Sequence, residues 1–448
     1  MPSNILNEVL FVDIDGVVNP AMLHAHVMLL IKFKALEQSD EHIDTRYLLR
    51  AQERYVLWLN LLGSQKYDQG TELIPPIGAV YITLFIDVCY IWHSHLLSPL
   101  RYYEDLHRIY DPQQKFPDFP LKQLYDVWES NGDHTDPPSE KVWVEETKQP
   151  WILDPNDSSD FKIICPWCKS SVQIPWVNYV KLMQTVETDE SCPKCYAPYS
   201  IETLSAKRFV DDISAWNKDK TRLIGGTLIN RKNGTYSEEF ATRSFQSLFT
   251  TSSINELTNF DQYNWEHIVK QLNFQIKNSE EKIVQRVLSA YIGIPLAFSI
   301  DLISAVRRQR KFTDKVVNNK WVDCVGAQEN ATVRYLKFLS LTKEKPSIPL
   351  VPTFDIDLCW HTHQIHASLY RAFTKKHAGR IINHDDTLPE KELSVGFEAT
   401  VQAWNKIYNE PYVQSQSKHP KEYEVNEECG EQCQQCQSEC GPEACYCD

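Results

Sequence analysis

The chain has 448 residues, of which 42% are hydrophobic and 11% aromatic, and its formal net charge is -14 at pH 7. That is too long for one ordinary core, and 12 Trp with 21 Tyr exclude disorder over most of the chain. The acidic balance argues against a broadly basic nucleic-acid surface; the run Arg307, Arg308, Arg310 and Lys311 reads as the solvated face of a helix.

The first residues lack a basic region followed by an apolar stretch, so no secretory leader is expected. The longest apolar stretch, 74–92, carries two prolines, a glycine and Asp87 and is too broken for a membrane span. Of 13 cysteines, four form Cys-x-x-Cys pairs, six crowd into the last 20 residues, and Cys89, Cys324 and Cys359 are scattered. This is metal-site usage in a reducing compartment, which places the protein inside the cell, in the cytoplasm.

In chain order, residues 20–63 read as helix, with Leu23, Val27, Leu30 and Ile31 at helical spacing and Tyr47, Leu48, Ala51, Tyr55, Trp58 and Leu59 after a polar break. Pro75-Pro76 ends that run. A further helix should hold Trp92, Tyr102 and Tyr103 and stop near Asp111-Pro112. Residues 112–160 read as a connection with short ordered pieces. The cysteine pairs follow, and from about 200 the pattern is helical again: Ile283, Val287 and Ala290 before Pro295, then Leu302 and Val306, then Val333, Leu336, Phe338 and Leu339. The expected units are 1–130 (N-terminal helical), 131–215 (linker and zinc ribbon), 216–415 (C-terminal helical) and 416–448 (cysteine-rich tail).

The two helical units are related by an internal repeat. Asp87, Trp92, His93, His95 and Tyr102 recur as Asp355, Trp360, His361, His363 and Tyr370, all at an offset of 268. Upstream, Arg54-Tyr55 and Arg334-Tyr335 each precede an apolar helix and a proline step. The first copy is longer; its extra length includes the β-branched, apolar stretch 78–86.

Val351-Pro-Thr-Phe-Asp355-Ile-Asp357-Leu-Cys-Trp360-His361-Thr-His363-Gln resembles the signature of the glycine-rich domain-containing protein-like family, and the chain is most similar to its fungal-type members. Asp301-Leu-Ile-Ser-Ala-Val-Arg-Arg-Gln-Arg-Lys-Phe312, Arg334-Tyr335 and Asn383-His384-Asp385-Asp386 match as well, and the resemblance spans most of 5–415. Residues 78–86 interrupt the pattern, and a cysteine-rich tail stands where some members have a long glycine-rich region. The resemblance implies a mainly helical protein of unsettled molecular function. It links plant members to stress and development, and some fungal members carry a dioxygenase label.

Cys165-Pro-Trp-Cys168 and Cys192-Pro-Lys-Cys195 are spaced for one tetrahedral zinc, with Val172–Trp176 supplying a short strand between them. Four thiolates fill the sphere, so this zinc is structural. The Trp-His-x-His blocks are harder to read. On a helix, histidines two apart point about 200° from each other, whereas Asp357 and His361, four apart, share a face. With His363 and His384 they are candidates for a second metal site, of unknown metal; the other reading is buried, hydrogen-bonded packing. In the first copy Cys89 replaces Asp357, and no counterpart of the run from His384 to Asp386 is visible.

Leu10-Phe-Val-Asp13-Ile-Asp15-Gly resembles a phosphatase nucleophile motif, but helix follows where that fold needs parallel strands. An iron dioxygenase would use His384-x-Asp386 with a distant His419, on a β-fold this chain lacks. Gly225-Gly226 is too little for a phosphate loop, and no serine elbow is present. The tail cysteines, 429 to 447, lack finger spacing. The expected protein is a zinc-binding, mainly α-helical, non-enzymatic scaffold acting through protein partners, with nucleic acid and membrane disfavoured. The alternative is a metal-dependent hydrolase or oxygenase built on the Trp-His-Thr-His block.

Overall fold

The computed structural model describes residues 14, 16–63, 86–110, 116–129, 137–156, 159–184, 190–230, 235–236, 263–273, 281–318, 325–345 and 350–413. Asp13, Asp15, the stretch 78–85, Cys324, His419 and the cysteine-rich tail lie outside them.

Helix α1 (Pro20–Lys34) begins where the Asn19 side chain accepts from Met22 N at 3.0 Å, with Pro20 in the first turn, and it ends on Lys32 and Lys34. It is buried on nearly every face, through Met22, Leu23, His26, Val27, Leu30 and Phe33, and therefore runs through the interior. Helix α2 (Glu41–Gly63) is capped by Asp40, whose carboxylate accepts from His42 N and Ile43 N at 2.9 Å. Helices α3 (Ile86–Leu96) and α4 (Pro99–Ile109) occupy the region expected to be one helix. The break falls at Leu97-Ser98 because Pro99 has no N–H to continue the ladder and fits best at a helix start. Two short helices, α5 (Leu121–Glu129) and α6 (Pro137–Thr147), lie in the stretch read as a connection, and they bury Leu121, Leu124 and Trp143. Helix α5 carries Leu121, Leu124, Tyr125 and Trp128 at helical spacing, whereas α6 leaves only a faint periodic trace in the sequence.

Strands β1 (Asp160–Ile164) and β2 (Ser171–Pro175) form an antiparallel hairpin that pairs Phe161 with Ile174 and Ile163 with Val172. All four are buried, and the residues between them face out, the alternation of a sheet covered on one side. Helix α7 (Trp176–Gln184) follows and packs on the hairpin and on α2; Phe161 stacks on Trp176 and Tyr179 at 4.6 and 4.3 Å. Helix α8 (Ile201–Lys218) opens with a reciprocal cap between Ser200 and Thr203. After a two-residue pairing of β3 (Ile229–Asn230) with β4 (Thr235–Tyr236) come α9 (Trp265–Asn273), α10 (Glu281–Leu288), α11 (Leu302–Asn318), α12 (Val325–Glu344), α13 (Phe354–Gln364), α14 (Ala367–Ala378) and α15 (Glu390–Tyr408). Gly379 at φ 69° and Asn409 at φ 53° end the last two in the left-handed conformation.

One apolar core extends from Ile14 to Tyr412 and includes the hairpin. A smaller core of Phe209, Trp216, Trp265, Val287 and Tyr291 belongs to α8, α9 and α10. Packing crosses the boundary expected at 215/216: α11 lies along α1 and also packs on α2 and α3, while α1 packs on α12 and α13. The three arginines of the α11 run are therefore paired and part-buried rather than fully solvated, while Lys311 is exposed as its charge suggests. Arg310 and Arg307 reach Asp44, which is nearly fully buried, at 2.8 and 3.4 Å, and Arg308 pairs with Asp386 at 3.2 Å. The fold is mainly α, with two related helical units and a small β hairpin that carries half of a cysteine cluster. Among the described residues, no helix is long and apolar enough to cross a membrane.

Candidate metal centres

The repeat seen in the sequence is a repeat of hydrogen bonds. In the first unit Arg54 Nε donates to Asp87 Oδ2 at 2.6 Å, Tyr55 OH meets His95 Nδ1 at 3.1 Å, and Trp92 Nε1 donates to Tyr102 OH at 3.4 Å. In the second, Arg334 donates to Asp355 at 2.6 Å, Tyr335 meets His363 Nδ1 at 2.9 Å, and Trp360 donates to Tyr370 at 2.9 Å. Each arginine also donates to backbone carbonyls, Arg54 to Pro150 and Trp151, Arg334 to Tyr412. Each lies over a tryptophan, Arg54 over Trp143 at 4.9 Å and Arg334 over Trp404 at 5.5 Å. The structure thus lengthens the repeat. Trp143 and Trp404, Lys148 and Asn409 (both at positive φ), and Trp151 and Tyr412 correspond at an offset of 261. No contiguous motif marks that second register.

The histidines of each block divide into two roles. His95 and His363, the later of each pair, are buried next to their tyrosines. His95 Nε2 lies 3.3 Å from Asp105 Oδ2, an electrostatic contact too poorly aligned for a hydrogen bond. Burial alone would raise the Asp105 pKa; His95, Arg108 and the Ser299 N–H bring it down to about 2. In the second unit Phe373 stands where Asp105 would be, and His363 Nε2 has no hydrogen-bond partner among the described residues. His363 therefore does not join Asp357, His361 and His384, contrary to the sequence expectation, because two residues of helix turn it to the tyrosine side.

The earlier histidines each meet a second imidazole. His93 Nε2 lies 2.9 Å from His26 Nε2, and His26 Nδ1 lies 2.8 Å from Thr362 Oγ1. Thr362 Oγ1 donates to Leu358 O at 2.7 Å, so it accepts from His26 Nδ1–H, and His26 Nε2 accepts from His93 Nε2–H. This proton order crosses from the first unit to the second. Burial lowers both imidazoles, His93 to about 3 and His26 well below its usual value with the His93 charge adding to the effect.

In the second unit, His361 Nε2 lies 3.1 Å from His384 Nε2, and Asp357 Oδ1 lies 3.5 and 3.7 Å from these two nitrogens. Asp357 and His361 sit one turn apart on α13. His384 follows α14 and donates through Nδ1 to Leu97 O at 3.1 Å, a carbonyl of the first unit. Burial, then the neighbouring His384, hold His361 well below its usual pKa; in His384 burial is outweighed by Asp357 and the pKa rises. Asp385 bonds only Thr387 nearby, and Asp386 is taken up by Gln309 and Arg308. His384 also borders a cleft of ≈ 480 Å³, whose wall includes Arg101, Arg286, Arg308 and Asn383.

The four cysteines converge as their spacing predicts. Cys165 and Cys195 Sγ are 3.7 Å apart, Cys168 and Cys192 Sγ 3.6 Å, and all four lie within 4.8 Å of one another. A tetrahedron with metal–sulfur bonds of about 2.3 Å has edges of about 3.8 Å, whereas a disulfide would need about 2.05 Å. The two knuckles share one geometry. Lys169 N donates to Cys165 O and Tyr196 N to Cys192 O, with Lys169 and Tyr196 both left-handed at φ 58° and 59°. Burial would raise the Cys192 thiol, but the Cys195 and Lys194 N–H groups bring it down to about 6; burial pushes Cys165 up to about 12. Ser170 Oγ, 2.9 Å from Cys168 Sγ, adds a further donor.

The model of the glycine-rich domain-containing protein-like family matches residues 28–105 and 222–373. The chain belongs to this family. It is similar to Glycine-rich domain-containing protein 2 of Arabidopsis thaliana, 41% identical over 120 residues, and to Glycine-rich domain-containing protein 1 of the same plant, 36% identical over 127. Those alignments cover 25% and 27% of this chain and 15% of each relative, so the chain matches only a small part of those longer proteins. No solved structure matches it. The family match frames both repeat units and is narrower than the 5–415 suggested by the motifs: the cysteine pairs fall between the two matched stretches, and His26 and His384 fall just outside them. His26 is the residue that sequence reasoning missed. Its signal was a histidine on the buried side of an apolar helix, which spacing alone does not connect to a partner 67 or 336 residues away.

Proposed function

We propose that this member of the glycine-rich domain-containing protein-like family is a zinc-stabilised helical scaffold that acts through protein contacts rather than catalysis. The observation that carries the reading is the cysteine cluster: sulfur separations of 3.6 and 3.7 Å suit a filled tetrahedron, which leaves zinc no open position for chemistry. Cys165 and Cys192 belong to the same core as α2 and α7, so the ion would hold the hairpin against the first unit. The buried arginine, tyrosine and tryptophan networks of the two repeats support a structural role for most of the repeated residues. Elemental mass spectrometry of the full-length protein tests the zinc. We expect Cys165→Ser to hold one zinc fewer per chain than the wild type; a wild-type protein without zinc would refute the assignment. The alternative reading, a metal-dependent enzyme, has one specific observation in its favour, the approach of Asp357, His361 and His384 beside a cleft.

A further inference from the structure

We infer that Asp357, His361 and His384 form a second metal site, separate from the cysteines, that takes one divalent transition-metal ion. The inference does not rest on the scaffold reading or on the zinc at the cysteines. Three ligand atoms at mutual distances of 3.1, 3.5 and 3.7 Å have a common point about 2.0 Å from each, the length of a bond from zinc or a similar ion to imidazole or carboxylate. An ion placed slightly out of that plane reaches all three without moving the backbone.

The hydrogen-bond chemistry points the same way. In the neutral ring the Leu97 carbonyl holds the His384 proton on Nδ1, so His384 Nε2 offers a lone pair. Asp357 Oδ1 is sheltered from water and accepts no hydrogen bond. Two acceptors therefore face His361 Nε2, which can give one proton to only one of them. A divalent cation satisfies all three atoms together. His361 Nδ1 is unpaired in either state and does not discriminate between them.

The first unit supplies an internal contrast. There Cys89 occupies the position of Asp357, so the paired imidazoles of His93 and His26 lack a third ligand among the described residues. Among the described residues, the only groups of three or more ligating side chains close enough for a metal are the cysteines and this triad. The site is therefore a specialisation of the second unit rather than a by-product of the repeat. Two imidazoles and one carboxylate suit zinc, iron(II), manganese, cobalt or nickel better than calcium or magnesium, which take oxygen ligands. Asp357 is 21% exposed and His384 borders the arginine-lined cleft, so the site lies close to the surface. Three protein ligands leave further coordination positions for water or a small polar ligand.

Cobalt(II) is the probe. The full-length protein is first saturated with one equivalent of zinc to fill the cysteines, then titrated with cobalt(II), followed by visible absorption and by metal analysis after dialysis. We expect one further equivalent with weak d–d bands and no thiolate-to-cobalt charge-transfer band. Asp357→Asn and His384→Gln should each weaken it by at least about tenfold, with circular dichroism and zinc content unchanged, and Cys165→Ser should retain it. No cobalt beyond the zinc equivalent would overturn the inference, whatever the variants do. So would an extra equivalent that carries a thiolate band, or one that persists unweakened in both variants.

Discussion

His93 is buried with its Nε2 proton committed to His26, so adding a proton to this pair should destabilise the fold. Its described ring neighbours are His26 and Phe33 from α1 and Phe119 from the segment before α5; no carboxylate is among them. Burial holds its pKa at about 3 in the folded chain, against 6.5 when unfolded. The sign follows from proton counting. Below pH 6.5 the unfolded chain binds a proton that the folded chain refuses, so stability falls with pH from 6.5 down to about 3. At pH 5.0, 1.5 units below the unfolded value, this one residue costs about 2 kcal/mol. The perturbation is His93→Gln, whose Nε2–H can still donate to His26 but does not titrate. Urea unfolding at pH 7.5 and 5.0, with zinc present, gives the loss of stability on acidification for each protein. Other acid-sensitive groups, the cysteine thiolates included, are common to both and cancel in the difference. The wild type should lose about 2 kcal/mol more than the variant. Equal losses would refute both the buried neutral state of His93 and the proton order built on it.

Arg54→Ala strips the buried Asp87 carboxylate of its cation and removes a donor from the Pro150 and Trp151 carbonyls, so it should cost about 3–5 kcal/mol in urea unfolding; Arg334→Ala frees the part-exposed Asp355 and the Tyr412 carbonyl and should cost less, about 2–3 kcal/mol. A silent variant in either unit would refute a stabilising role for that arginine. Tyr335→Phe removes the hydroxyl from the second unit's buried histidine and should cost about 1–2 kcal/mol, read by thermal unfolding. Chelation of zinc, or Cys165→Ser, should lower the unfolding midpoint and expose the hairpin amides in hydrogen exchange; structural zinc in comparable sites binds with on the order of 10 kcal/mol. Gly226 has φ +85°, and a Cβ there would lie 2.5 Å from the Arg286 carbonyl. Gly226→Ala should therefore destabilise the chain by about 2 kcal/mol or more, measured by calorimetry.

The sequence by itself determined what short-range spacing encodes. Two Cys-x-x-Cys turns bring two sulfurs each to one side, so the cysteine cluster was legible residue by residue. Helical periodicity made the class clear, and the 268-residue offset showed two related units. The same local arithmetic placed Asp357 and His361 on one face of α13. It erred where context outweighs pattern. Pro99 splits what reads as one helix, while the short ordered pieces expected in 112–160 are the helices α5 and α6. The arginines of α11 are drawn in by Asp44 and Asp386, and only Lys311 of that run stays exposed. What only the tertiary structure decided was which distant groups meet. His26 bridges His93 and Thr362, His384 is turned toward His361 by a carbonyl of the other unit, and His363 is turned away. Those partnerships arise because α1 and α11 lie side by side between the two units, a packing choice made by shape and burial over hundreds of residues and recorded in no local spacing.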